Sequence, residues 1–169
     1  ADIAMPETQA RTTTTATVQI ASASEMRVLG RRLARILMVG DVVLLHGDLG
    51  AGKTTLVQGI AEGFGVVEAV QSPTFTLVAE HEGRTQDGTA LKLYHLDLYR
   101  LTDPAELESF GYESYLQPAD GISLIEWPER ADDWLPDRFL LVRIDYAAEG
   151  GRSVTLEAIP PAQWSLTGV

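Results

Sequence analysis

Gly47-Asp48-Leu49-Gly50-Ala51-Gly52-Lys53-Thr54 constrains this chain more than any other stretch. It has the spacing Gly, four residues, Gly, Lys, then Ser or Thr, which is the P-loop pattern. Gly47 lets the backbone leave a strand sharply. Gly50 and Gly52 permit angles that a Cβ would forbid. Successive N–H groups can then turn inward and, with the start of the next helix, form an anion cradle. Lys53 can reach the β- and γ-phosphates of a nucleotide, and the Thr54 hydroxyl can bind Mg²⁺. Thr55 adds a second hydroxyl, placed for the α-phosphate.

The flanks fit what the loop needs. Val42-Val43-Leu44-Leu45-His46 reads as a buried strand entering it. Leu56 to Phe64 reads as a helix leaving it, with Leu56, Ile60 and Phe64 on one face and Gly65 as its stop. Strand, loop and helix in that order make a nucleotide-phosphate site of Gly47, Asp48, Leu49, Gly50, Ala51, Gly52, Lys53, Thr54 and Thr55.

Composition narrows the nucleotide and the partners. The 169 residues are enough for one domain with a sizeable core. No Cys is present, which removes disulfides and thiolate metal sites. No apolar run reaches the length of a membrane span, and the first residues lack a signal-peptide pattern, so a cytoplasmic location is expected. The formal net charge is −11, and Lys53 and Lys92 are the two lysines. A chain this acidic is not expected to bind a nucleic-acid backbone unaided, although a basic partner could hold one for it. The sequence contains no Asn, so the Asn-Lys-x-Asp motif that reads guanine is missing and ATP is the expected nucleotide.

Residues 1–20 read as a polar extension, flexible in part, whose β-rich end at Thr12 to Ile20 can finish as a strand. Residues 21–169 read as one domain. Ser22-Ala23-Ser24-Glu25 fits a capping box, and the helix after it turns Met26, Leu29, Leu33, Ile36 and Leu37 inward. Arg27, Arg31 and Arg35 fall on another face, either solvated or docking a partner. Gln71-Ser72-Pro73-Thr74-Phe75 reads as an ordinary loop or as a switch that senses the γ-phosphate through the Ser72 or Thr74 hydroxyl. Phe75 to His81 and Ala90 to Leu96 read as two strands joined by a polar hairpin loop. Asp103-Pro104-Ala105-Glu106 starts a helix that Gly111 stops. Phe139 to Tyr146 and Arg152 to Ile159 are strands whose short connection makes them antiparallel. The tail from Pro160 is expected at the surface.

Two further stretches carry chemistry. In Tyr94-His95-Leu96-Asp97-Leu98-Tyr99-Arg100 an extended backbone puts His95, Asp97 and Tyr99 on one face and the leucines on the other. That suits the wall of a site, or a solvent-facing edge strand. Ile122 to Trp127 is an apolar strand that delivers Glu126 at its C-terminal end, where P-loop proteins place the acid on the metal side. A buried carboxylate there needs a nearby cation.

Together these residues resemble the TsaE (YjeE) family of bacterial ATPases. The resemblance is carried by the P-loop through Thr55, by Ser72-Pro73-Thr74-Phe75-Thr76-Leu77-Val78, by Tyr94 to Leu101, and by Ile125-Glu126-Trp127-Pro128. It spans roughly Ser22 to Ile159. It implies an α/β, P-loop NTPase-like three-layer fold with a mixed parallel and antiparallel central sheet. It implies Mg²⁺-dependent ATP hydrolysis, weak alone and stimulated by TsaD, the transferase, and TsaB, its pseudo-enzyme partner. The process served is formation of N6-threonylcarbamoyladenosine at position 37 of tRNA, with tRNA met only through that complex. By match, Lys53, Asp97 and Glu126 are the catalytic set, Thr54 and Glu126 hold Mg²⁺, and Asp97 acts near the attacking water or the metal. Ser72 to Thr74 form the switch-like segment, and Trp127 lies beside the nucleotide. Two other classes fit the P-loop. A small-molecule kinase would need an Arg-bearing lid, and Glu82 to Thr89 offers only Arg84. A non-catalytic ATP-sensing module would bind without turnover.

Overall fold

The computed structural model describes residues 15–48, 50–71, 73, 77–131, 134–160, 166 and 169. Its centre is a seven-stranded sheet in the order β1-β7-β6-β2-β5-β4-β3. The strands are β1 (Thr15–Ile20), β2 (Val42–Gly47), β3 (Val78–Arg84), β4 (Ala90–Asp97), β5 (Gly121–Glu126), β6 (Phe139–Tyr146) and β7 (Arg152–Ile159). β2 runs parallel to both β6 and β5, and β5 runs parallel to β4. Antiparallel pairs close each side: β6 with β7, β7 with β1, and β4 with β3. The sheet is therefore mixed, with a parallel centre.

The parallel centre explains the apolar runs. Every residue of β5 is buried, and so is every residue of β2 except His46. Strands covered on both faces lose the apolar–polar alternation. Val43, Leu45, Leu93, Leu124 and Val142 meet two long helices on one face, α1 (Ala23–Ala34) and α2 (Lys53–Gly63). Leu44, Leu96 and Ile125 turn to the other face and pack against Leu107, Tyr112 and Leu116. Those three come from two short helices, α3 (Glu106–Ser109) and α4 (Tyr112–Leu116). Helices on both faces give the expected three layers.

Local signals account for the helix ends. Ser22 Oγ accepts from Glu25 N at 3.2 Å. Glu25 Oε1 reaches back to Ala21 N at 2.9 Å, one residue before the cap. Met26, Leu29 and Leu33 are buried as their spacing requires, and Leu37 is buried just beyond the helix, while Ile36 is only partly covered. α1 and α2 approach closely because small residues meet at the crossing. A Cβ on Gly59 would stand 2.4 Å from Arg27 O. Arg27 and Arg31 bind Glu62 of α2 at 3.4 and 2.9 Å, and Arg27 also donates to Gln58 Oε1 at 3.1 Å. Arg27, Arg31 and Arg35 are all exposed, as a solvated face requires, and the first two also tie α1 to α2.

The polar extension finishes as a strand at 15–20, as expected, hydrogen-bonded along β7. Other expectations shift. β3 runs on to Arg84, three residues past His81; its expected beginning at Phe75 lies outside the described residues. The Asp103 helix is a single turn. After Gly111, at φ 74°, α4 follows at once. The tail is not all surface, since Leu166 is 2 % exposed and belongs to the core under α1 and α2. Among the described residues, no helix is long and apolar enough to cross a membrane.

Candidate active site

The C-terminal ends of β2, β5 and β4 lie side by side, with Leu45 opposite Glu126 and Glu126 opposite Asp97. Paired residues share a face, so Glu126 and Asp97 both turn toward α2. α2 begins at Lys53, directly after the loop that leaves β2. The topology thereby brings the P-loop, Glu126 and Asp97 to one crevice beyond the strand ends, where α/β sheets bind ligands.

The loop has the backbone its glycines predict. Gly52 precedes the helix at φ 113°, a conformation that L side chains avoid, and a Cβ there would press on Met26 Cε at 3.1 Å. Ala51 N donates to Asp48 O at 3.1 Å and closes the turn. Leu49 lies outside the described residues. Lys53 is 5 % exposed; its Nζ donates to Gly47 O and stands 3.6 Å from the centroid of the Trp127 ring. Burial holds the ammonium below its ordinary pKa, opposed by the negative charges of Glu126, Glu129, Asp97 and Asp48.

Glu126 has defined partners. His95 Nε2 lies 2.6 Å from Glu126 Oε2, and both side chains are almost wholly buried. An ionised carboxylate only accepts, so this nitrogen carries the hydrogen. His95 Nδ1 then has no hydrogen-bond partner among the described residues. Thr54 Oγ1 donates to the same Oε2 at 3.3 Å. The cation expected near a strand-end carboxylate is Lys53, whose charge couples to Glu126. Asp97 is half-buried, and its Oδ1 accepts from Tyr99 N at 3.0 Å. Burial raises the Asp97 pKa, and the Glu126 charge adds to the rise against that hydrogen bond. β4 lies inside the sheet, between β5 and β3, so the edge-strand reading of His95 to Tyr99 does not hold.

Trp127 takes φ 58°, the left-handed region, at a cost of about 1–3 kcal/mol for a non-glycine residue. Its N–H is tied to Leu45 O at 3.3 Å. This conformation lays the indole beside Lys53 and against Tyr99, with ring centroids 4.9 Å apart. Lys53, Thr54, Asp97, Tyr99, Glu126 and Trp127 line a cleft of about 250 Å³. A second cavity of about 330 Å³ opens on the other side of the loop, among Ile20, Ser22, Met26, Thr55, Gly151 and Arg152. Gly50, Gly52 and Thr55 border both.

The donor set suits a hard divalent cation. Mg²⁺ takes oxygen ligands, commonly one or two carboxylates together with substrate phosphates and water. Thr54 Oγ1 and Glu126 Oε2 are such oxygens, already within 3.3 Å of each other. Ser72 and Thr74 lie outside the described residues.

The family model described as "Threonylcarbamoyl adenosine biosynthesis protein TsaE" matches residues 20–154. The chain belongs to the TsaE family. The tRNA threonylcarbamoyladenosine biosynthesis protein TsaE of a Nostoc species is 46 % identical over 132 residues, 76 % of each chain. Its Bacillus subtilis counterpart is 39 % identical over 135 residues, 80 % of each chain. A crystal structure of Bacillus subtilis YdiB superposes with a TM-score of 0.70 at 32 % identity, covering 86 % of each chain. The fold is thus the P-loop NTPase-like one that the sequence predicts.

Two arginines escape the sequence reading. Arg130 lies in the 3₁₀ turn Pro128–Ala131, with its Cζ 5.2 Å from the Tyr99 ring and 5.8 Å from the Trp127 ring. Arg152 begins β7 and donates to two P-loop carbonyls. Arg100, at the end of the Tyr94 to Arg100 stretch, is exposed in a turn. Position along the chain offers no signal for Arg152 beyond an arginine after the Gly150-Gly151 turn.

Proposed function

We propose that this chain is a Mg²⁺-dependent ATPase that supports a TsaB–TsaD complex in forming N6-threonylcarbamoyladenosine on tRNA. The observation that carries the reading is the convergence of Lys53, Thr54, Glu126 and Asp97 on one cleft at the strand ends. The loop amides and Lys53 bind the phosphates. Thr54 and Glu126 would hold Mg²⁺, which when bound would offset the negative charge of the phosphates. His95 orients Glu126 through the 2.6 Å contact. Asp97, with its raised pKa and its place beside Glu126, orients or deprotonates the attacking water. Lys53 leaves the Gly47 carbonyl and the Trp127 ring to reach the phosphates. Thr55 stands at the α-phosphate end, and the cavity among Ile20, Ser22, Met26 and Gly151 receives the nucleoside.

The rival readings have less support. Arg84, the arginine a kinase lid would need, donates to Gly88 O at 2.9 Å within its own hairpin. A non-catalytic sensor does not need Asp97 beside the metal-side acid. The net charge of −11 favours tRNA held by partners over direct binding. A finger supplied in trans speeds P-loop hydrolysis by about 10³-fold or more, which fits activation by a partner.

The test is phosphate release from ATP with this chain, TsaB, TsaD and tRNA each omitted in turn, together with a tRNA gel shift. Slow release alone, a marked rise with TsaB and TsaD, and no shift of naked tRNA are expected. Full activity from the isolated chain, a phosphorylated acceptor in place of free phosphate, or tight tRNA binding without partners would contradict the proposal.

A further inference from the structure

Arg152 makes a contact that nothing in the phosphate chemistry above uses. Its Nε donates to Ala51 O at 3.0 Å and its Nη2 to Gly50 O at 3.2 Å. Its Nη1 donates to Gly151 O at 3.0 Å. The guanidinium carbon sits 4.2 Å from the centroid of the Tyr146 ring. One planar fork, anchored on Gly151 O and lying over the Tyr146 ring, therefore grips two successive carbonyls of the P-loop.

Peptide geometry gives that grip a consequence. In a planar trans peptide the C=O of one residue and the N–H of the next point in opposite directions. Holding Gly50 O and Ala51 O toward Arg152 turns the N–H groups of Ala51 and Gly52 away from it. The Ala51 N–H closes the turn on Asp48 O, and Gly52 borders the phosphate cleft. The segment is otherwise loosely specified. Gly50 and Gly52 take φ 77° and 113° and have no side chains to pack, so ordering them is entropically costly. A clamp formed before the ligand arrives moves that cost out of binding. The described acceptors of Arg152 are all carbonyl oxygens, not carboxylates, so they leave its positive charge in place beside a site for a polyanion.

We propose that Arg152 is a positioning residue for the phosphate site: it presets the P-loop backbone from the β6–β7 hairpin. The proposal rests on the reading that this loop binds nucleotide phosphates. Tyr146 serves as the platform that keeps the fork in plane. Lysine cannot replace the arginine, because an ammonium is a point donor and does not bridge two carbonyls in a fixed fork.

The experiment uses the full chain as wild type, Arg152→Met, Arg152→Lys and Tyr146→Leu. Amide hydrogen exchange of residues 50–54 is read without nucleotide, and Mg²⁺–ADP affinity and kcat at saturating ATP are read separately. Arg152→Met should speed exchange of the loop amides and raise the ADP Kd about tenfold, about 1.4 kcal/mol, with a much smaller change in kcat. Arg152→Lys should fall between Met and wild type, and Tyr146→Leu should move the same amides less. Unchanged exchange in Arg152→Met would overturn the proposal. So would a raised Kd with unchanged exchange, which marks a direct ligand contact. Wild-type behaviour of Arg152→Lys would overturn it too, and that variant carries the test if the methionine variant fails to fold. Wild type failing to bind ADP would remove the nucleotide reading instead, while exchange still judges the clamp.

Discussion

Asp41 and Glu126 are each 2 % exposed, and they stand at opposite ends of the same parallel strands. Asp41 precedes β2. Its Oδ2 accepts from Met38 N at 2.7 Å and its Oδ1 from Arg138 at 2.7 Å, so both oxygens meet strong fixed donors. Glu126 ends β5. It touches His95 and Thr54 through one oxygen and lines an open cleft with Lys53. Burial of an acid therefore does not mark a site. The end of the strands and the completeness of the partner set do: Asp41 fastens the base of the sheet, and Glu126 waits at the end where α/β folds bind ligands.

The largest effect should come from Lys53, the one cation within the cleft that is itself part of the P-loop. Lys53→Ala should cut phosphate release about a hundredfold or more and weaken nucleotide binding without abolishing it, because the backbone cradle remains. Wild-type hydrolysis by that variant would remove the distinction between the two ends. Asp41→Ala tests the other end. It strands the Met38 N–H and should cost about 2 kcal/mol in denaturant unfolding, with ADP affinity unchanged. A comparable loss of affinity would make Asp41 part of the site after all.

Asp97 sharpens the comparison through pH. Burial and the Glu126 charge raise its pKa in the folded state, so near neutrality its ionised form opposes folding. A raised carboxyl favours the folded state most below the unfolded value and loses that favour as pH rises through the folded value. Asp97→Asn should therefore raise the thermal midpoint of the nucleotide-free chain at neutral pH. The gain should shrink as the pH falls toward the unfolded carboxylate range. ATP binding should persist while turnover drops. A lower midpoint at neutral pH would show that Asp97 is a structural acid like Asp41. The smallest effect is optical: nucleotide should alter tryptophan fluorescence by drawing Lys53 off Trp127, and Trp127→Phe should remove most of the change. A surviving signal would place the reporter elsewhere.

What could be read from sequence follows from how local the cause is. The strand and loop around Lys53 are specified by consecutive residues, so β2 and the left-handed Gly52 were legible, whereas α2 starts at Lys53, three residues before the expected Leu56. The capping residues Ser22 and Glu25 act within four positions. Glu126 and Asp97 were legible as strand ends, because each closes an alternating or apolar run. Their meeting needed the strand order, which no short pattern encodes. Arg152 reaches the loop across 101 and 102 positions, and Arg27 reaches Glu62 across 35. α4 was missed because five residues carry too little helical period to recognise.

The central claim is that Glu126, and not merely a buried acid, answers to the metal. The direct measurement is ATP affinity as a function of Mg²⁺, from chelated to saturating, for wild type, Glu126→Gln, Asp97→Asn and Asp41→Asn. The account predicts tighter ATP binding with Mg²⁺ in wild type, Asp97→Asn and Asp41→Asn, and a Mg²⁺ response largely lost in Glu126→Gln. A full Mg²⁺ response in Glu126→Gln, with the loss appearing in Asp97→Asn instead, would contradict it.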